Sequence, residues 1–268
     1  MTPYQWIKAV TGWDYHTIYD DVVNFSGTDF LESIEIDKRQ TPIVAPPTLP
    51  TDCINLTDPI QLEYYRDSAV VCEAVRYIHQ RRLLTAVNSS KAFYVSLTDH
   101  IHRNRLIIPY FDAHGNLVHY QSRQLYDNDG LPKYLSKFDS VKYPFNLPKL
   151  DASLGYYMAF EGAVDAMFVR NSIALTGVNL TEEQAEFLGP FDLFMKRIWV
   201  LDNPFIDETA RTKAMKLADK GEYVFSWPTQ MRRFKDVSEL AQAKQLDEVP
   251  YALFERFAKT GIDLKTSI

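Results

Sequence analysis

Cysteine is nearly absent from this chain of 268 residues, which has only Cys53 and Cys72. Two cysteines that far apart make neither a disulfide framework nor a Cys-x-x-Cys pair, so a reducing compartment is expected and structural zinc is not. Glycine is also scarce, at ten residues, and the chain has no internal repeat or low-complexity tract, which excludes fibrous and disordered classes. No apolar run is long enough to span a bilayer. The opening MTPYQWIKAV lacks the basic start and apolar stretch of a signal peptide. A cytoplasmic location with no membrane partner is the expectation.

What is present is a globular composition, 46% hydrophobic and 24% charged, and a length sufficient for two lobes. The net charge of −6 is unevenly spread. Residues 1–71 carry 4 basic and 11 acidic side chains, residues 72–149 carry 11 and 6, and residues 150–268 carry 14 and 18. The middle third alone is net positive, at +5, and holds five of the six histidines together with several tyrosines. That mixture suits phosphates and stacked bases, although a solvated surface is the ordinary alternative for a charge excess.

Four units are expected. Residues 1–50 read as short helices, with Tyr4, Ile7 and Val10 at helical spacing and Thr28 ahead of Glu32, followed by a proline-rich linker beginning at Thr41. Residues 51–150 read as a small basic α+β lobe, with helices between Asp58 and Leu84, strands at 93–97, 105–111 and 116–125, and a hairpin turn at AHGN. Residues 151–245 alternate strand and helix, which implies a parallel sheet: strand YYMAF, a helix from Ala163 to Arg170, strand SIAL, a helix capped by Thr181 and Gln184, strand RIWVLD, a helix from Asp207 to Lys220, and strand EYVFSW. Residues 246–268 read as a C-terminal amphipathic helix.

In an open parallel sheet, ligands bind beyond the carboxyl ends of the strands. Glu161 follows YYMAF and Asp202 closes RIWVLD, so two carboxylates emerge at that edge; Asp236 follows the next strand by a loop, and Asp165 lies one helical turn beyond Glu161. Each acid alone reads more simply as a helix N-cap. Together they call for a cation, and oxygen ligands of this kind favour Mg2+ or Mn2+. Arg232, Arg233 and Lys235 form a basic cluster beside Asp236, suited to a triphosphate or simply to solvent.

The run MAFEGAVDAMFVRNSIALTG resembles the first half of a topoisomerase–primase (TOPRIM) fold through Glu161, Gly162, Asp165, Ala174 and Gly177. WVLDNPFIDETA resembles that family's Asp-x-Asp segment, and KDVSEL resembles an element near the end of primase cores. Upstream, Arg105, Pro109, Asp112, Gly115, Arg123 and the run Pro132-Lys133-Tyr134-Leu135 resemble the basic lobe of bacterial and phage replicative primases, and YIHQRRL resembles the helical repeat before it. The resemblance covers about residues 70–245. Two departures stand out. Asp202-Asn203-Pro204 lacks the second acid of Asp-x-Asp, for which Asp207 or Glu208 is a replacement although DETA reads more simply as a helix N-cap, and the zinc ribbon that such primases place before the core is missing.

The resemblance implies a TOPRIM-type parallel sheet preceded by a basic α+β lobe, and a primase core that makes short RNA primers on single-stranded DNA from ribonucleoside triphosphates. Glu161, Asp202 and Asp236 would be catalytic, with Asp165 and Asp207 as further metal ligands. Arg105, Arg123, Lys133, Tyr134 and Lys142, joined by Arg232, Arg233 and Lys235, would bind template and nucleotide. A replicative helicase or a separate zinc-ribbon protein would be the partner. Two alternatives are a TOPRIM nuclease and a single-stranded-DNA-binding replisome protein that has lost catalysis through Pro204.

Overall fold

The computed structural model describes residues 47–126, 132–138, 140–177 and 180–268. The expected N-terminal helices and most of the proline-rich linker lie outside them.

The first sheet is antiparallel, in the order β1 (Cys53–Asn55), β2 (Tyr94–Ser96), β3 (Arg105–Phe111), β4 (Leu117–Gln124), β5 (Tyr134–Ser136). The apolar run RLIIPYF is buried along six of its seven residues because strands flank it on both sides. Pro109 is tolerated inside this central strand because β2 pairs only with Leu106 and Ile107, so no ladder bond is asked of the proline on that side. The β3–β4 turn closes where Asp112 accepts from the backbone N–H groups of His114 and Asn116, and Gly115 takes φ +84°, a left-handed conformation open to glycine. Helices α1 (Pro59–Tyr64) and α2 (Ala69–Gln80) lie between β1 and β2; α2 buries Val71, Ala74 and Ile78, an i, i+3, i+7 stripe. β1 and β5 were not anticipated, since three-residue strands carry little periodicity of their own.

The second sheet runs β10 (Ala258–Lys259), β9 (Tyr223–Phe225), β8 (Lys196–Val200), β6 (Tyr156–Phe160), β7 (Ser172–Ala174). Pairs β6–β7, β6–β8 and β8–β9 are parallel, as the strand and helix alternation requires. The intervening helices are α3 (Ala163–Ala166), α4 (Glu182–Asp192), α5 (Glu208–Asp219) and α6 (Val237–Ala243). The Thr181–Gln184 capping box forms reciprocally at the start of α4. The helix expected from Ala163 to Arg170 lasts one turn; tighter turns follow, with Phe168 N donating to Asp165 O and Val169 N to Ala166 O, and Asn171 at φ +55° leads into β7. The expected C-terminal helix is likewise shorter. α7 (Tyr251–Arg256) stops so that Ala258 and Lys259 can pair antiparallel with β9, and α8 (Gly261–Lys265) then packs beside α5.

One apolar core runs through both sheets. Ile54, Leu106 and Ile108 of the first belong to the same buried cluster as Met158, Phe160 and Ile198 of the second. Asn88 bolts the two together by donating to the backbone oxygen of Ser172 and to its hydroxyl. The basic lobe is thereby fixed against the parallel sheet, which sets the cleft between them.

Candidate metal centre

Asp165, Asp202 and Asp236 each place a carboxylate oxygen within 4.8 Å of the other two. Three separate elements bring them there. Asp202 is the second residue beyond β8, Asp165 sits in the single turn of α3, and Asp236 caps α6 by accepting from Glu239 N at 2.7 Å. Asp165 accepts from Ser238 N at 2.8 Å, so the first turn of α6 holds both acids in register.

The charges are held against their own repulsion. Burial, then Asp236 and Asp202, pushes the Asp165 carboxyl up to about 8. Burial, then Asp236 and Glu161, raises Asp202 to about 6, with Lys235 opposing. Carboxylates gathered this closely raise one another's pKa, and a hard divalent cation bound through their all-oxygen donor set would relieve the repulsion.

Glu161, expected with them, lines the cleft but is absent from this cluster among the described residues. Its Oε1 instead accepts from Lys213 Nζ on α5 at 2.8 Å. Asp207 is a helix cap, accepting from Thr209 N and Ala210 N, and is not among the clustered acids. The segment that lacks the second acid has a different use. Asn203 is fully buried; its Nδ2 donates to Arg232 O and Phe234 O at 2.8 Å, and its backbone N–H donates to Lys235 O at 2.7 Å. That residue ties the Asp202 loop to the Asp236 loop, while Pro204 is buried beside it.

Arg81, Arg123, Lys133 and Tyr134 line the same cleft of about 350 Å³ as the acids. Arg123 lies between the rings of Tyr77 and Tyr134, 4.9 and 5.0 Å from their centroids, and donates to the Tyr134 hydroxyl. Tyr134, expected to bind template or nucleotide, lines the cleft with Arg123 over its ring. Lys133 has its pKa lowered by burial and then by Arg123.

Other expected contacts do not reach the cleft. Arg105 is 1% exposed and donates to the backbone oxygens of Pro132 and Lys133, so its part is to support the Lys133–Tyr134 strand. Lys142 is exposed and does not line the cleft. Arg232 packs over Phe205 at 3.6 Å and Arg233 over Phe234 at 4.7 Å, while Lys235 is exposed near Asp202.

Four cleft or supporting residues escaped the sequence reading. Arg81 ends α2 and donates to Ser238 Oγ at 3.0 Å. Thr176, at φ +56°, lines the cleft with a buried hydroxyl that has no partner among the described residues. Ser238 is masked in sequence by its place inside a helix. Lys213 was legible in principle, because it takes a place in the stripe Ala210, Lys213, Ala214, Leu217 that the other three fill with apolar side chains.

No family model matches the chain. Its sequence is 30% identical over 138 residues, 51% of the chain, to the DNA primase of Enterobacteria phage T4, and it spans 38% of that protein's length. Solved structures similar to it include the zinc-binding and RNA polymerase domains of the Aquifex aeolicus primase, at TM-score 0.42 and 21% identity over 70% of this chain and 53% of that one. The RNA polymerase domain of Mycobacterium tuberculosis primase DnaG, with a double-stranded DNA oligomer carrying a 6-nucleotide overhang, gives 0.47 and 21% over 78% and 76%. The primase fragment of the bacteriophage T7 primase-helicase protein gives 0.40 and 19% over 57% and 62%. By sequence, over about half of its length, this chain is a relative of a phage DNA primase.

Proposed function

We propose that this chain is the catalytic core of a DNA primase, joining ribonucleotides on single-stranded DNA by metal-dependent nucleotidyl transfer. The observation that carries the reading is the cleft itself, which three clustered carboxylates share with Arg81, Arg123 and Lys133. The acids suit a divalent cation and the bases a polyphosphate, which is the pairing a nucleoside triphosphate presents.

In the proposed reaction a 3′ hydroxyl oxygen bonds to the α-phosphorus of the incoming nucleotide. The bond from that phosphorus to the oxygen bridging to the β-phosphate breaks, and pyrophosphate leaves. Asp165, Asp202 and Asp236 would hold Mg2+ or Mn2+, which lowers the pKa of the attacking hydroxyl and neutralises charge on the leaving group. Arg123, locked between two tyrosines, presents its guanidinium to phosphate oxygens in a fixed orientation. Lys133 and Arg81 add positive charge to the same cleft. Lys235, exposed and near enough to Asp202 to act on its charge, would meet the triphosphate from outside the cleft. Glu161 stands at the cleft as acceptor for the hydroxyl proton. Single-stranded DNA and ribonucleoside triphosphates are the proposed ligands, a replicative helicase or zinc-ribbon protein the proposed partner, and the cytoplasm the proposed location.

The buried Pro204, standing where a second metal-binding acid belongs, favours one alternative, a single-stranded-DNA-binding replication protein without catalysis. Incorporation of labelled ribonucleotides on single-stranded DNA with Mg2+ or Mn2+ decides between them. Short products from the wild type and none from Asp202→Asn support the primase. If both proteins make no product and bind DNA equally with EDTA present, the primase reading is wrong and the binding protein stands.

A further inference from the structure

Lys213 is 9% exposed, lies on α5, and carries its ammonium over the ring of Trp199 at 5.7 Å. A buried ammonium needs a counter-charge. Among the described residues the carboxylate ion-paired with it is Glu161, at 2.8 Å, one of the four acids at the cleft. The other three converge within 4.8 Å of one another without Glu161. Nothing in the chain's direction forces this division, since Glu161 follows β6 directly and is close enough to Asp202 to act on its charge.

We propose that Lys213 is a positioning residue that holds Glu161 apart from the cation-binding carboxylates and reserves it for the substrate. The site then divides its acids three to one, with Asp165, Asp202 and Asp236 for the ion and Glu161 for the attacking hydroxyl. The pair is anchored on rigid elements: Trp199 is in β8, with its indole N–H donating to Glu222 at 3.1 Å, and α5 is capped by Asp207. The role assigned to Glu161 rests on the primase reading, while its separation from the ion does not.

A water-soluble carbodiimide tests the separation without catalysis. It joins a carboxylate and an amine in contact as an amide, the carbodiimide taking up the water as a urea. Mass spectrometry of digests should find the Glu161–Lys213 cross-link equally with EDTA and with saturating Mn2+. Its loss on adding Mn2+ would show Glu161 moving to the ion and would overturn the proposal. In primer synthesis, Lys213→Met should lower kcat at least tenfold with KM for nucleotide within twofold, Lys213→Arg should recover most of kcat, and Lys213→Met should cost nothing further in a Glu161→Gln background. A further loss in that background, or a KM effect alone, would equally overturn it. A wild type that keeps the cross-link but makes no primers refutes the primase reading and the substrate role of Glu161, leaving the separation standing.

Discussion

Asp165→Asn should make the metal-free protein more stable and the metal-loaded protein less so. Asparagine keeps the oxygen that accepts from Ser238 N and removes the charge that repels Asp202 and Asp236. Asp165 has its folded-state pKa raised from the ordinary 3.8 to about 8. Its contribution to stability is therefore complete below pH 4 and is lost as the pH rises through about 8. Linkage for a carboxyl titrating alone with that shift gives a cost of about 4 kcal/mol at pH 7. Because the repulsion is shared among three acids, about 2 kcal/mol is the recoverable part, which for a domain of this size raises Tm by about 4–8 °C. Differential scanning fluorimetry at pH 8 with EDTA should show that gain, and at pH 5 the gain should shrink to about a third. Adding Mn2+ should raise the wild-type Tm by several degrees and leave Asp165→Asn nearly unmoved. A variant that melts below the wild type in EDTA, or that keeps the full Mn2+ response, would refute the account of the cluster as carboxylates strained for want of a cation.

Three further outcomes follow from the same geometry. Asn203→Ala removes two buried hydrogen bonds to the Asp236 loop and should cost about 2–3 kcal/mol in urea unfolding, with a Mn2+ affinity at least tenfold weaker by calorimetry. Asp207→Ala should cost about 1 kcal/mol as a lost helix cap and leave the Mn2+ affinity unchanged, which separates it from the true cluster. Arg105→Ala should lower Tm by removing a buried support of the Lys133 strand, whereas Arg123→Ala should chiefly weaken single-stranded DNA and nucleotide binding, read by fluorescence anisotropy.

The acids were legible because strand ends can be read from sequence: apolar YYMAF and RIWVLD run out at Glu161 and Asp202, and a parallel sheet brings such ends to one edge. What could not be read was how the acids are apportioned. Glu161 and Asp165 are four positions apart, yet Glu161 pairs with Lys213, 52 positions away in sequence, while Asp165 joins the cluster. The Asp202-Asn203-Pro204 segment reads as a lost ligand, yet its asparagine binds carbonyls of a loop about thirty residues on, a contact that no local pattern encodes. Among the basic residues, charge alone gave no means of telling Arg123, which lines the cleft, from Arg105, which is spent on backbone oxygens. Short strands such as β5 and β10 exist because a neighbour offers an open edge, so they too become visible only once the sheets are assembled.

The most direct test of the central claim is anomalous scattering from crystals of the protein soaked in Mn2+. A peak bounded by Asp165, Asp202 and Asp236, with Glu161 still on Lys213, is the predicted result. A peak on Glu161 or Asp207 with the three aspartates empty, or no peak in the cleft at all, would contradict it.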